Sequence, residues 1–201
     1  MTIYKLSSDA LTSLQEVTFR SAGLLERKDL QPVLREQLEV IVPDAMVLAE
    51  EFSDWEDSRR RIDLLALGKD ARLIVIELKR TEEGGHMELQ ALRYAAMVST
   101  MTFDDAVRAH QTHLERLGRD EDARQSILDF LGWDEEQEED FAQDIRIVLA
   151  SADFSKELTT SVLWLNGRGM DIQCIRLKPY RHGDDVLLDV QLVIPLPEAA
   201  E

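Results

Sequence analysis

Cysteine is nearly absent from this chain, with Cys174 alone among 201 residues. That excludes an intrachain disulfide and a thiolate zinc site, and it suits a reducing compartment. No apolar run approaches the roughly 18–20 residues that span a bilayer. The opening MTIYKLSSD has no basic start followed by an apolar segment, so no secretory signal is expected and the expected location is the cytoplasm. Basic residues are also scarce: 23 Lys and Arg against 40 Asp and Glu give a formal net charge of −17. This balance argues against broad nonspecific attraction to nucleic acid, whose affinity rests on Lys and Arg neutralising phosphates. It suits a protein that collects divalent cations. No Pro/Gly/Ser linker and no internal repeat divides the chain. With 44% hydrophobic residues it can fill one sizeable core. One domain over 1–201 is therefore expected, its core at about 24–100 and residues 101–201 extending the same unit.

In chain order, Thr2–Leu6 alternates enough for a short strand, and Asp9 is a candidate helix cap before Leu11 and Leu14. From Glu26 the apolar residues Leu30, Val33, Leu34, Leu38 and Ile41 recur at helical spacing, with Pro32 in the first turn and an end before Pro43. AMVLAEEF (45–52) reads as a strand. Arg61–Leu67 and Arg72–Lys79 then flank Gly68-Lys69-Asp70-Ala71, a tight-turn composition, as a hairpin. Gly84-Gly85 breaks the chain before a helix over about 86–100. Further helices are expected over 104–117 and 122–131, then strand, helix, strand and strand to the C-terminus. The acidic run DEEQEED (134–140) reads as a solvated loop or helix start.

The hairpin carries an anomaly. Ile62, Leu64, Ala66, Ile74, Ile76 and Leu78 belong to one face, and Leu65, Leu67, Leu73 and Val75 to the other. A sheet apolar on both faces needs a covering layer on each, which predicts an α/β fold with a central mixed β-sheet flanked by helices on both faces. Yet Asp63 and Glu77 interrupt these strands. With Lys69 and Asp70 as the central pair of the turn, Asp63 lies across from Glu77, Cβ atoms about 5 Å apart, and Lys79 shares their face. Charge buried there is costly unless it is paired or binds a metal. Two converging carboxylates, with the backbone carbonyl of Leu78 between Glu77 and Lys79, form a site for a hard cation such as Mg²⁺ or Mn²⁺. Such a cation polarises a phosphoryl oxygen and acidifies water, and a neighbouring lysine orients that water or stabilises developing charge. Gln90 and Tyr94, one turn apart on the following helix, point back toward the carboxylates.

Asp63…Glu77-Leu78-Lys79 resembles the motif of the PD-(D/E)XK, or restriction-endonuclease-like, nuclease superfamily. Gln90-x-x-x-Tyr94 resembles the QxxxY motif of its RecB-type subgroup, and the pattern from Glu26 to Tyr94 is similar to the nuclease domain of the NucS-type endonucleases. The resemblance covers about a third of the chain. It implies a Mg²⁺- or Mn²⁺-dependent deoxyribonuclease, an endonuclease by preference, in which Asp63 and Glu77 bind metal and Lys79 is catalytic. It further implies that Glu26 aids the metal shell, with Asp29 a competing choice, and that Gln90 and Tyr94 position the substrate strand or the attacking water.

Two other readings stand beside this one: a buried structural ion pair, and a catalytically inactive nucleic-acid- or protein-binding module on the same fold. Arg61 and Arg80, with Arg59 and Arg60, are candidate phosphate contacts, and His86 is a candidate substrate neighbour. DNA is the expected partner, with a homodimer or a partner subunit supplying a basic face. His110 and His113 are read as exposed helix residues, Trp55, Trp133 and Trp164 as packing residues, and Cys174 as an inert core thiol.

Overall fold

The structure is a computed structural model that describes residues 2–53, 61–79 and 86–196. Arg59, Arg60, Arg80, Trp55 and the Gly84-Gly85 break lie outside these residues. Short strands β1 (Tyr4–Leu6) and β2 (Leu11–Ser13) pair antiparallel, and β3 is Gln15–Glu16. The helix expected after Asp9 does not form. β-Branched Thr12 and the apolar-polar alternation around it favour extension, and Asp9 accepts a hydrogen bond from Ser7 Oγ.

The helix predicted from Glu26 is divided into three pieces: a π-helical turn at Glu26–Leu30, α1 (Gln31–Glu36) and a 3₁₀ turn at Leu38–Val40. Pro32 sits in the first turn of α1. Helical backbone runs on through Pro32, with Leu30 and Gln31 both right-handed, and the break comes at Gln37, at φ −130° and ψ 54°. The covering stripe shifts accordingly: Val33 is exposed and Gln31 is buried in its stead.

Strands β4 (Ala45–Phe52), β5 (Ile62–Gly68), β6 (Leu73–Lys79), β7 (Ile145–Ser151), β8 (Asp171–His182) and β9 (Asp185–Ile194) stand side by side in that order in one mixed sheet. β4, β5 and β6 are antiparallel neighbours; β6, β7 and β8 run parallel; β9 returns antiparallel along one edge of β8, and β3 pairs near the end of the other. Helices α2 (Met87–Val98), α3 (Phe103–Arg116), α4 (Ala123–Leu131) and α5 (Lys156–Asn166) complete the fold. Residues 134–140 form turns and bends, the solvated loop anticipated from their charge.

The sheet is covered on both faces, as its two-sided hydrophobicity requires. Leu65, Leu67, Leu73 and Val75 pack with Met87, Tyr94, Phe103, Ile127 and Val162 of the four long helices. Leu64, Ala66, Ile74, Ile76 and Leu78 pack with Leu30, Leu34, Leu38 and Ile41 on the opposite side. Ile62 departs from the alternation: at the first position of β5, paired with Phe52, it joins the first cluster.

Local chemistry sets the element ends. Thr102 and Asp105 form a reciprocal capping box at the start of α3, Asp122 caps α4, and Ser155 caps α5. Gly132 ends α4 at φ 74°, a left-handed position that favours glycine. In the hairpin, Ala71 N–H donates to Gly68 O at 3.0 Å around the Lys69-Asp70 pair. A Cβ at Gly68 would meet Asp70 Oδ1 at 2.5 Å and displace the end of that side chain. No helix among the described residues is long and apolar enough to cross a membrane.

Candidate active site

The hairpin register is what brings the two carboxylates together. Backbone pairs run from Leu67–Leu73 to Leu64–Ile76, and continuing the same register sets Asp63 opposite Glu77. Asp63 is 3% exposed and Glu77 0%. Asp63 Oδ2 accepts the Leu78 backbone N–H at 2.8 Å, which fixes its carboxylate across the strand gap. Glu77 is different: among the described residues neither of its oxygens has a hydrogen-bond partner. The Asp63 backbone amide exerts only the weakest opposing influence on it and lies outside hydrogen-bond geometry.

Burial raises the pKa of both carboxyls above the ordinary range. For Glu77 the negative field of Asp63 adds to burial and Lys79 opposes it; for Asp63 the Leu78 amide and Lys79 oppose the rise. An orphaned buried carboxylate facing a second one is unusual, because each unsatisfied group costs about 1–3 kcal/mol. Lys79, half-buried at the end of β6, shares their face.

Glu26 and Asp29 separate in the structure. Glu26, at the start of the π-helical turn, acts electrostatically on both Asp63 and Glu77. Asp29 Oδ2 instead accepts the Leu25 backbone N–H at 2.6 Å and serves the local turn. Gln90 and Tyr94 meet as the one-turn spacing anticipates, Gln90 Nε2 donating to Tyr94 Oη at 3.2 Å. Tyr94 is buried, and burial, with the charges of Glu77 and Asp63, raises its hydroxyl pKa. Arg61 is exposed beside β5, and exposed His86 precedes α2 at φ 62°.

Elsewhere His110, His113 and Trp164 depart from expectation, whereas Trp133 and Cys174 agree with it. His110 and His113 are buried, at 5% and 6% exposure, because α3 lies against β4; His110 Nδ1 is 3.3 Å from Leu48 O. Burial lowers both imidazole pKa values, that of His113 to about 4. Trp133 packs near Phe103, whereas Trp164 is exposed with the Arg168 guanidinium over its ring. Cys174 is buried in β8, its thiol pushed up to about 12 by burial.

Three polar residues escaped the sequence reading. Gln31, 1% exposed, donates from Nε2 to Glu50 Oε1 at 3.1 Å, Glu51 Oε1 at 3.3 Å and Asp63 O at 3.4 Å. Glu50 also takes Arg35 Nη1 at 2.6 Å. Glu51 adopts φ 51°, a left-handed conformation uncommon for a side-chain-bearing residue. Two signals marked them: Gln31 precedes Leu34 and Leu38 at helical spacing, and Glu50-Glu51 places consecutive carboxylates at the end of an apolar strand.

The donor set fits a hard divalent cation, because Asp63 and Glu77 offer carboxylate oxygens and neither Glu77 oxygen has a partner among the described residues. No cluster of three or more Asp, Glu, His or Cys side chains suited to a metal ion occurs among the described residues. The fold and site thus define an α/β protein with a buried carboxylate pair and a lysine at the ends of adjacent central strands.

No protein-family profile matches the chain, and no curated protein matches it in sequence. Among solved structures it is similar to a repair endonuclease from Pyrococcus abyssi, at 15% identity and a TM-score of 0.41, over 73% of this chain and 45% of that one. It is also similar to EndoMS in an EndoMS–dsDNA complex, at 15% identity and a TM-score of 0.38, over 88% of this chain and 64% of that one. The chain therefore spans less than two thirds of either of those chains.

Proposed function

We propose that this chain is a Mg²⁺- or Mn²⁺-dependent deoxyribonuclease of the PD-(D/E)XK type with the RecB-like QxxxY arrangement, acting as an endonuclease. The observation that carries the reading is Glu77: a wholly buried carboxylate whose two oxygens have no partner among the described residues, opposite Asp63 and two residues from Lys79. A structural ion pair explains it poorly, since a lone buried pair gains little over apolar packing and leaves the polar contact between Gln90 and Tyr94 at the same site without a purpose.

Asp63, Glu77 and the Leu78 carbonyl would hold the cation, which when bound polarises the phosphodiester and lowers the pKa of water. Asp63 is pre-positioned by its bond from Leu78 N–H. Lys79 orients the attacking water and stabilises charge developing on the phosphoryl group as the 3′-oxygen leaves. Tyr94, aligned by Gln90 Nε2, positions the substrate strand or that water, and Glu26 supports the site from the turn before α1. DNA is the substrate, and a second copy or a partner subunit supplies the wider basic surface that so acidic a chain lacks.

Calorimetric titration with Mn²⁺ tests the site. The wild type binds the ion, and Glu77→Gln, which removes the charge at nearly constant shape, abolishes binding. Binding of Mn²⁺ by Glu77→Gln with wild-type affinity would contradict the assignment.

A further inference from the structure

Beside the carboxylate pair, two arginines share one glutamate. Arg27 Nε lies 3.3 Å from Glu51 Oε1 and Arg61 Nη1 lies 3.8 Å from Glu51 Oε2, so each oxygen of one carboxylate takes a different guanidinium. The side chains of Arg27 and Arg61 are 66% and 55% exposed, whereas that of Glu51 is 20% exposed. Among the described residues Glu51 is the ion-pair partner of each, which leaves most of both guanidinium forks unused and facing solvent.

Exposed pairs of this kind contribute about 0–1 kcal/mol to stability, yet the chain fixes Glu51 at some expense. Its backbone stays in the left-handed region at φ 51°, a conformation that persists where the surroundings over-determine it. Buried Gln31 ties the Glu51 side chain to its surroundings, its Nε2 lying 3.1 Å from Glu50 Oε1, 3.3 Å from Glu51 Oε1 and 3.4 Å from the Asp63 carbonyl. Among the described residues the buried Gln31 side-chain oxygen has no partner of its own.

The pair also adjoins the site. Glu51 and Glu26 both act electrostatically on Asp63, Arg27 follows Glu26 in the chain, and the Arg61 backbone amide lies against the Tyr94 hydroxyl.

We infer that Arg27 and Arg61 form a two-arginine receptor for a backbone phosphate of the substrate strand, and that Glu51, pinned by Gln31, is the positioning residue that holds them together. Guanidinium forks match phosphate oxygens in charge and geometry. A net positive pair at this spot draws a nucleic-acid strand to the one end of an acidic protein where its carboxylates await it. The inference rests on the nuclease reading and adds to it the contacts that seat the strand.

The test is fluorescence anisotropy of a fluorescein-labelled 20-nucleotide DNA, single-stranded and as a duplex, in EDTA at low salt and across a salt series. Arg27→Gln and Arg61→Gln should each weaken binding about tenfold and lower the salt slope by about 1. Glu51→Gln discriminates more sharply. It makes the chain less acidic, so simple charge repulsion predicts tighter binding, whereas the positioning role predicts binding weakened about three- to tenfold. Glu39→Gln, at an exposed residue of the 3₁₀ turn, carries the same charge change and should not weaken binding. DNA binding by the wild type with unchanged affinity in both arginine variants overturns the receptor and leaves the nuclease reading standing. Tighter binding by Glu51→Gln overturns the positioning role. Failure of the wild type to bind either DNA overturns the receptor and leaves the nuclease reading to the Mn²⁺ titration.

Discussion

Replacing Glu77 with leucine should stabilise the metal-free protein while destroying its response to metal. Glu77 is 0% exposed and neither oxygen has a protein partner among the described residues. Its carboxyl pKa is raised by burial and by Asp63, so the metal-free fold carries either a buried charge or a buried, unpaired acid. An orphaned buried polar group costs about 1–3 kcal/mol, and an apolar side chain of similar size removes that cost. Glu77→Leu should therefore gain about 1–3 kcal/mol in EDTA, which at roughly 2–4 °C per kcal/mol for a chain of this size raises Tm by several degrees. Urea denaturation and calorimetry in EDTA measure both quantities. Linkage adds a signature. The folded state holds a proton on Glu77 that the unfolded chain has released, so metal-free stability falls as pH rises from the ordinary carboxyl range toward the raised value. Glu77→Leu flattens that slope. Mn²⁺ at about 100 times its Kd should stabilise the wild type by about 2.7 kcal/mol and leave the variant unmoved. A variant less stable than the wild type in EDTA, or still stabilised by Mn²⁺, would refute the reasoning.

Two predictions concern the scaffold. His113, buried beside His110 with its pKa lowered to about 4, binds its proton less readily in the folded state than in the unfolded chain; stability is thus full above the ordinary imidazole value and is lost as pH falls below it. Between pH 7.5 and 5 the wild type should lose about 2 kcal/mol through this group, a loss absent from His113→Leu and measurable by urea denaturation at the two pH values. Thr102→Ala removes one half of the capping box at the start of α3, where the Thr102 side chain accepts the Asp105 N–H. It should cost about 1 kcal/mol, read from the midpoint of a denaturant titration with the slope unchanged.

The hairpin was legible because its signals are local and agree. Period-two hydrophobicity defined the strands, and the Gly68–Ala71 composition set the turn. The register that follows places Asp63 across from Glu77, as the Leu64–Ile76 pair of the folded chain requires. The helices from α2 onward were legible as elements from their apolar spacing, whereas the caps Thr102 and Ser155 emerged only in the fold. The N-terminal third was harder. Leu11 and Leu14 fit a helix as well as a strand, and only pairing with β1 and β8 decides between them. The helix from Glu26 breaks at Gln37, where periodicity alone would continue it. Tertiary packing also inverted local expectation at His110 and His113, whose polar side chains are buried because α3 lies on β4. Gln31, Glu50 and Glu51 form their network across elements 19 and 20 residues apart, a distance no local pattern spans. The local bond from Leu25 N–H to Asp29 was likewise invisible to periodicity.

The central claim is that the carboxylate pair serves phosphodiester hydrolysis, and cleavage of end-labelled single-stranded, double-stranded and branched DNA with Mn²⁺ tests it most directly. Wild-type protein should cut at least one of these substrates, and Asp63→Ala should lower the rate by about 100-fold or more. Equal rates for the two proteins, or no cleavage of any of the three by the wild type, would contradict it.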